Sequence, residues 1–298
     1  MNLPEEKSMY DRLVSRIRSQ NVTPELVWIY CRKLLHQALS SRPETHSILA
    51  ILACQRSGTS VMSRVFFRDF DATIFREKSI LTGGDEGLRY LPFEDVNKLM
   101  ARQKAPLVVF KMLVESQRAL DFLDSVHGAR VLWLFRDYRD VASSNLVKFG
   151  KGNGIDDLRP IVNGEKNNWR SEGCSETTRD IIRKHFSESM KPSDAAALFW
   201  YARNRLYFEQ DLFGNDRAML VEYEQFVRSP AETMQQIYAF CDRPYPGNFL
   251  VKEVGTGSVS KGKSVDLSPE IDQLCGDMLS QLQKTALDPN AGATPEKD

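Results

Sequence analysis

The stretch LACQRSGTSVMSRVF, residues 52–66, joins the end of an apolar run to a segment with helical spacing. Between the two lies a short turn of small and charged residues, Arg56-Ser57-Gly58-Thr59-Ser60. The unpaired N–H groups at a helix start point toward one place, and the positive end of the helix dipole favours an anion there. Gly58 lets the backbone approach a ligand closely, the hydroxyls of Thr59 and Ser60 can donate, and Arg56 adds a cation. The stretch therefore predicts a phosphate-binding loop.

The turn differs from the P-loop of nucleotide-hydrolysing proteins, whose pattern is G-x-x-x-x-G-K-[ST]. When Gly58 is placed on the second glycine, Ala53 falls on the first and Thr59 falls on the lysine. The missing lysine disfavours ordinary ATP or GTP chemistry. Taken alone, the stretch is equally explained by a turn with an N-capping serine.

A second strand-to-helix junction lies in VLWLFRDYRDVASSNL, residues 131–146. Arg136 ends the apolar run, and Ser143 and Ser144 follow about one helical turn inside the next segment. An arginine and a serine eight residues later can bracket a second phosphate at the carboxyl edge of a sheet, where α/β proteins bind ligands. The alternative is that Arg136 pairs with Asp137 or Asp140 on a solvated face.

The composition limits the class of protein. Among the 298 residues, lysines plus arginines equal aspartates plus glutamates at 40 each, which disfavours a general nucleic-acid or membrane-surface binder. The five cysteines include no C-x-x-C pair, which favours reduced thiols. The first 20 residues lack the apolar core of a signal peptide, and no stretch approaches the roughly 18 apolar residues of a membrane span. We therefore expect a cytoplasmic protein with no membrane span and no nucleic-acid partner.

Short apolar runs alternate with helical patterns along most of the chain. The runs at 46–54, 106–112, 129–135 and 217–223 predict buried strands, and helical spacing occupies 60–69, 92–103, 116–126 and 194–210. This alternation predicts a parallel sheet with helices on both faces. We assign residues 1–45 to an N-terminal helical collar of two helices and residues 46–285 to the main domain. Residues 150–193 form a polar acceptor-side excursion or lid inside that domain, and residues 286–298 form a disordered tail.

The two junctions resemble the sulfotransferases that use 3′-phosphoadenosine 5′-phosphosulfate (PAPS). QRSGTS resembles the loop that binds the 5′-phosphosulfate, and Arg136 with Ser144 resembles the 3′-phosphate site. The arginine in the loop is typical of the tyrosylprotein and carbohydrate branches. The resemblance implies a three-layer α/β sandwich with a central mostly parallel sheet, the sulfotransferase version of the P-loop nucleoside-triphosphate-hydrolase-like fold. It also implies PAPS as co-substrate.

Weaker matches extend the resemblance over roughly residues 48–265. Lys111 ends the run LVVFK, where that family has a lysine on the transferred group, and Tyr223 in VEYEQFV matches a tyrosine near the adenine. GSVSKGKS, residues 257–264, resembles a late loop that folds over the nucleotide. There the resemblance places Ser260 on the sulfonate and Lys261 or Lys263 on the 3′-phosphate. The implied donor site consists of Arg56, Ser57, Gly58, Thr59, Ser60, Arg136, Ser144, Tyr223, Lys261 and Lys263.

Transfer to a hydroxyl requires a base and cations at the leaving oxygen. None of the histidines is well placed in the sequence, which leaves carboxylates; the histidines are His36, His46, His127 and His185. Glu77 follows the first loop at about the interval of the catalytic glutamate in the tyrosine branch, and we take it as the base. The alternative is a surface glutamate paired with Arg76 or Lys78. Asp85 and Glu86 are the reserve candidates.

The predicted function is metal-independent sulfonyl transfer from PAPS to a hydroxyl acceptor, by in-line displacement. Its catalytic set is Glu77, Arg56, Lys111 and Ser260. The acceptor class stays open between carbohydrate, glycolipid, phenol or tyrosine, and small metabolite. A group of aromatic residues could line a sugar site, although such spacing is more typical of a core; these are Trp169, Trp200, Tyr201 and Tyr207. The alternatives are a P-loop-like nucleotide kinase and a catalytically inactive nucleotide-binding protein.

Overall fold

The centre of the molecule is a five-stranded sheet whose strands all run parallel. A computed structural model describes residues 24–79, 81–83, 88–90, 92–100 and 102–287. The sheet strands are β1 Ser47–Ala53, β2 Ala72–Phe75, β5 Leu107–Lys111, β6 Ala129–Phe135 and β7 Ala218–Glu222. They lie side by side in the order β2-β5-β1-β6-β7. Two short strands, β3 Thr82–Gly83 and β4 Arg89–Tyr90, pair separately and antiparallel. The predicted α/β class and parallel sheet are confirmed.

Helices cover both faces of the sheet, and its strands are therefore apolar on both sides. Along β1, Ile48, Ala50 and Leu52 face one hydrophobic cluster, while Leu49, Ile51 and Ala53 face another. The α-helices are α1 Pro24–Leu39, α2 Thr59–Arg68, α3 Phe93–Met100, α4 Ala119–Ser125, α5 Tyr138–Phe149, α6 Asn153–Asn163, α7 Glu176–His185, α8 Pro192–Glu209, α9 Tyr223–Arg228, α10 Pro230–Phe240 and α11 Pro269–Leu287. Two 3₁₀ helices span Leu113–Arg118 and Asn248–Val251. The expected three-layer sandwich is confirmed.

Strand register brings the ends of three neighbouring strands to one edge of the sheet. Ile51 in β1 pairs with Lys111 at the end of β5, and Ala53 pairs with Leu134 near the end of β6. The turn after β1, the lysine of β5 and the junction after β6 therefore share the carboxyl edge, which is where open α/β sheets bind ligands.

The structure extends the sequence-based organisation in several places. Strand β2 was not predicted, because it has four residues and only Ala72 is fully buried. The segment 150–193 lies outside the sheet and forms helices α6 and α7. Helix α11 continues through Leu287, two residues into the predicted tail. The first collar helix and residues 288–298 lie outside the described residues.

Candidate active site

The loop after β1 leads into helix α2 without a capping side chain in the part of the chain that the structure describes. Gly58 occupies the N-cap position in a left-handed conformation with φ 97°, and Arg56 also has a positive φ of 69°. The alternative of an N-capping serine is therefore wrong. The hydroxyl of Ser57 is buried and has no hydrogen-bond partner among the described residues. The turn keeps polar groups unpaired at a helix start, as an anion site requires.

Gly58 lies directly against the ring of Tyr223, the first residue of α9. A Cβ atom at position 58 would lie 2.2 Å from both Cδ2 and Cε2 of that ring. Tyr223 is 2% exposed, and its hydroxyl shares a 2.7 Å hydrogen bond with the hydroxyl of Ser258. Only glycine suits this position, since it tolerates the positive φ and leaves room for the ring.

Lys111 joins the first loop to the predicted base. Its Nζ donates to Ser60 Oγ at 3.3 Å and to Glu77 Oε2 at 3.2 Å. The ammonium group is almost buried, whereas the Glu77 side chain keeps 30% of its surface exposed. The structure thus brings together three predicted site residues from three different segments. The structure gives Glu77 an ion pair with Lys111.

Arg136, at the junction after β6, is 6% exposed and surrounded by acceptors from four segments. Its Nη2 donates to Asp140 Oδ2 at 3.0 Å and to the carbonyl oxygen of Ser258. Its Nε lies 3.8 Å from Glu224 Oε1, and its guanidinium stacks 4.7 Å from the centroid of the Tyr223 ring. The alternative interpretation of Arg136 predicted an ion pair with Asp137 or Asp140 on a solvated face. Arg136 does pair with Asp140, but both side chains are buried.

Arg56 and Ser144 contact each other directly. Arg56 Nε donates to Ser144 Oγ at 3.0 Å, and Arg136 Nη1 donates to the carbonyl oxygen of Arg56 at 3.4 Å. The pKa of Arg56 is lowered by its burial and then by the like charge of Arg136. Two neighbouring guanidinium groups at a sheet edge favour a bound anion, which would offset their repulsion.

The late loop, residues 257–264, covers Arg136. The backbone N–H groups of Ser260 and Gly262 donate to the two carboxylate oxygens of Asp140, at 2.9 Å and 2.6 Å. The side chains of Lys261 and Lys263 are exposed on this loop. Ser260 therefore lies on the Arg136 side of the site, and within the described residues no hydrogen bond or ion pair links it to Lys111 or Glu77.

Three carboxylates near the site are not among the site residues predicted from the sequence. Asp140 accepts hydrogen bonds from the late loop. Glu224 Oε1 accepts from the backbone N–H of Asp137 at 3.3 Å, and Glu224 Oε2 has no hydrogen-bond partner among the described residues. Burial raises the pKa of Glu224 to about 7. Asp157, buried in α6, accepts from Gln55 of the first loop at 2.7 Å and from Arg170 at 2.6 Å. The sequence carried one usable signal, the placement of Asp140 one helical turn after Arg136.

The aromatic candidates for a sugar site belong to the core. Trp200, Tyr201 and Tyr207 on α8 are all buried, so the core interpretation is confirmed for them. Trp169 is partly buried and contacts the guanidinium groups of Arg170 and Arg203.

Comparison with known proteins supports the fold. A family model described as Sulfotransferase family matches residues 174–247, a stretch that includes Tyr223 and Glu224. The sulfotransferase domain from the curacin biosynthetic pathway superposes with a TM-score of 0.51 at 16% identity, covering 82% of this chain and 99% of that chain. The chain has a sulfotransferase fold. The predicted resemblance to sulfotransferases is thereby confirmed.

Two further solved structures are similar at lower scores. The sulfotransferase from Alicyclobacillus acidocaldarius has a TM-score of 0.47 and 17% identity, covering 83% of this chain and 96% of that chain. Mouse sulfotransferase SULT7A1 complexed with PAP has a TM-score of 0.43 and 11% identity, covering 85% of this chain and 89% of that chain. A comparison with curated proteins gives no match. Within the described residues, every helix is too short or too polar to cross a membrane.

Proposed function

We propose that this protein transfers the sulfonyl group of PAPS to a hydroxyl acceptor. One observation carries the proposal: Lys111 lies within hydrogen-bond distance of both Ser60, at the phosphate-binding loop, and Glu77, a partly exposed carboxylate. A cation that contacts the donor loop and a candidate base at once is suited to a displacement in which a proton leaves as negative charge develops nearby.

The two ends of the donor fit the two junctions. The 5′-phosphosulfate would lie over the start of α2, on the groups of Ser57, Gly58, Thr59 and Ser60, with Arg56 beside it. The 3′-phosphate would lie near Arg136, Ser144, Lys261 and Lys263 at the second junction and the late loop. Tyr223 packs between the junctions, in contact with Gly58, Arg136 and Ser258, and would limit the space for the adenine. Bound PAPS would supply an activated sulfonyl group.

Glu77 would accept the proton of the acceptor hydroxyl while the hydroxyl oxygen forms its bond to sulfur. The bond from sulfur to the bridging phosphate oxygen breaks in the same step, and that oxygen leaves with the electron pair. Lys111 and Arg56 would stabilise the charge that develops there. The ion pair between Lys111 and Glu77 has to loosen for this, and a bound phosphate would give Lys111 a second anionic partner. Ser260, on the Arg136 side, would donate to the sulfonate from the late loop.

The proposed acceptor is a compound with a free hydroxyl, and the proposed location is the cytoplasm. Carbohydrate, glycolipid, phenol or tyrosine, and small metabolite all carry the required hydroxyl, and the excursion at 150–193 would lie on the acceptor side. Free thiols at all five cysteines support a cytoplasmic location.

Calorimetry combined with one substitution tests the proposal. The wild-type protein should bind 3′-phosphoadenosine 5′-phosphate (PAP) more tightly than AMP or ATP. Glu77→Gln should lower turnover with labelled PAPS by about 100- to 10,000-fold, the usual contribution of a general base, and keep PAP affinity within about threefold. Glu94→Gln, which removes an exposed carboxylate from α3, is the matched control and should stay active.

Each alternative function has its own signature in these experiments. ATP binding that is tighter than PAP binding would favour a kinase. PAP binding without turnover across sugars, glycolipids, phenols and peptides would favour an inactive nucleotide-binding protein. An active Glu77→Gln enzyme would transfer the base role to Asp85 or Glu86, which lie outside the described residues.

A further inference from the structure

Asp140 connects three groups of the kind that bind phosphate. It lies in the first turn of α5 and is 3% exposed. Its carboxylate accepts from Arg136 Nη2 at 3.0 Å, from the Ser260 N–H at 2.9 Å and from the Gly262 N–H at 2.6 Å. A guanidinium and two backbone amides thus converge on a negative charge that the protein itself supplies.

The late loop approaches α5 closely at this point. A Cβ atom at Gly262 would lie 2.2 Å from the carbonyl carbon and oxygen of Arg139 and 2.4 Å from the nitrogen of Asp140. These neighbours are backbone atoms, which cannot rotate away as a flexible side chain would. The loop therefore fits against the start of α5 through a glycine, and Asp140 is its polar attachment.

We propose that Asp140 is a positioning residue that holds loop 257–264 closed over Arg136 before the donor binds. The inference rests on the proposed function, because its benefit is a preformed site for the 3′-phosphate. With the loop attached, Lys261 and Lys263 stay on an ordered segment, and donor binding does not have to order it. Asp140 also fixes the guanidinium of Arg136 in the buried position from which it stacks on Tyr223.

The test compares Asp140→Asn with Asp137→Asn. Asparagine at 140 keeps one acceptor but places an NH₂ group where a donor now points, so the loop should detach. Asp137 caps α5 by accepting from the N–H groups of Arg139 and Asp140, and asparagine is also a good N-cap. The control thus removes a charge from the same helix turn and leaves the loop attachment intact.

We expect Asp140→Asn to weaken PAP binding by about 10- to 100-fold, the usual effect of losing hydrogen bonds to a charged group, and AMP binding by less than about threefold. The KM for PAPS should rise with the PAP dissociation constant, while kcat at saturating PAPS falls less than about threefold. Gly262→Ala, which separates the loop from α5 sterically, should reproduce this pattern. Asp137→Asn should behave like the wild type.

Limited trypsin digestion measures the loop directly, without any nucleotide. Asp140→Asn should be cleaved after Lys261 or Lys263 at least about tenfold faster than the wild type, and PAP should restore protection. Unchanged cleavage together with unchanged PAP affinity would overturn the inference. If the wild type fails to bind PAP, the proposed function is wrong, yet the digestion still shows whether Asp140 holds the loop.

Discussion

The two strand-to-helix junctions of the site differ in how far their polar and charged groups are paired within the protein. After β1, helix α2 starts at Gly58 with no capping side chain in the described structure, and the buried Ser57 hydroxyl has no partner among the described residues. After β6, Asp137 caps helix α5, and Arg136 is neutralised by Asp140 with Glu224 nearby. The first junction leaves its donors for a ligand, whereas the second largely satisfies itself.

Under the proposed function, this difference would give the two junctions separate tasks. Unpaired polar groups at the first junction lower stability but are available when charge develops on a bound group. A buried arginine without a carboxylate would be far costlier, so the second junction supplies its own anion, the carboxylate of Asp140. We infer that the first junction stabilises the reacting group and that the second holds the far end of the donor in place.

The largest effect should come from Gly58→Ala, which breaks the first junction. The added Cβ would lie 2.2 Å from the Tyr223 ring, and the residue must keep a φ of 97°. Strain and overpacking each cost about 1–3 kcal/mol, so we expect the free energy of unfolding to fall by about 2–6 kcal/mol. Urea unfolding measures the loss, and calorimetry should show no PAP binding.

Gly128→Ala is the matched control for this substitution. Gly128 also has a positive φ, of 70°, but a Cβ atom there would meet nothing within 4 Å. It should lose only the strain component, about 1 kcal/mol, and bind PAP normally. If both variants lose the same free energy of unfolding, the contact with Tyr223 does not contribute to the cost of Gly58→Ala.

The second junction is tested by Glu224→Gln. Burial raises the pKa of Glu224 to about 7 from its ordinary value of 4.5, so the folded protein holds a proton that the unfolded chain has released. The free energy of unfolding should therefore decrease as pH rises from about 4.5 to about 7 and stay low above that. Since glutamine carries no charge, the stability of the variant relative to the wild type should rise across this window by up to about 3 kcal/mol.

Urea titrations at pH 5 and pH 8 measure this difference. Glutamine keeps an acceptor for the N–H of Asp137, so the hydrogen bond to the cap of α5 is preserved. If the difference in the free energy of unfolding between Glu224→Gln and the wild type is the same at both pH values, Glu224 is ionised in the folded protein throughout the range.

The smallest effect is expected at the first junction, from Ser57→Ala. Because its hydroxyl is buried without a partner among the described residues, removing it should leave the free energy of unfolding unchanged or raise it by up to about 1 kcal/mol. Ser63→Ala is the comparison, since Ser63 Oγ donates to the Thr59 carbonyl at 2.7 Å and its loss should cost about 1 kcal/mol. A cost at Ser57 equal to that at Ser63 would contradict the contrast between paired and unpaired hydroxyls.

The fold could be predicted from the sequence wherever a segment carries its own signal. Four sheet strands are continuous apolar runs, and each was placed to within about one residue of its observed bounds. Strand β2 has only four residues, of which Ala72 alone is fully buried, so its pattern is too short to separate from a loop. Helices α6 and α7 lie in a polar stretch, where packing against α8 rather than composition decides the structure.

The cationic side chains of the candidate site could be predicted from the sequence, and the carboxylate that pairs with Arg136 could not be recognised as part of the site. Arg56, Lys111 and Arg136 stand at strand ends, where topology alone brings them to one edge. The contact between Glu77 and Lys111 agrees with the position predicted for the base, although its catalytic role stays a prediction. Asp140 could not be separated from a surface aspartate, because its importance arises from a loop about 120 residues later in the chain.

The hydrogen bond between Gln55 and Asp157 has a mechanical consequence. Gln55 immediately precedes Arg56, and Asp157 is fixed in α6 by Arg170 and Asn153. The polar excursion, residues 150–193, is therefore linked to the loop after β1 by a hydrogen bond. A tilt of α6 would therefore strain the hydrogen bond to the residue that precedes Arg56.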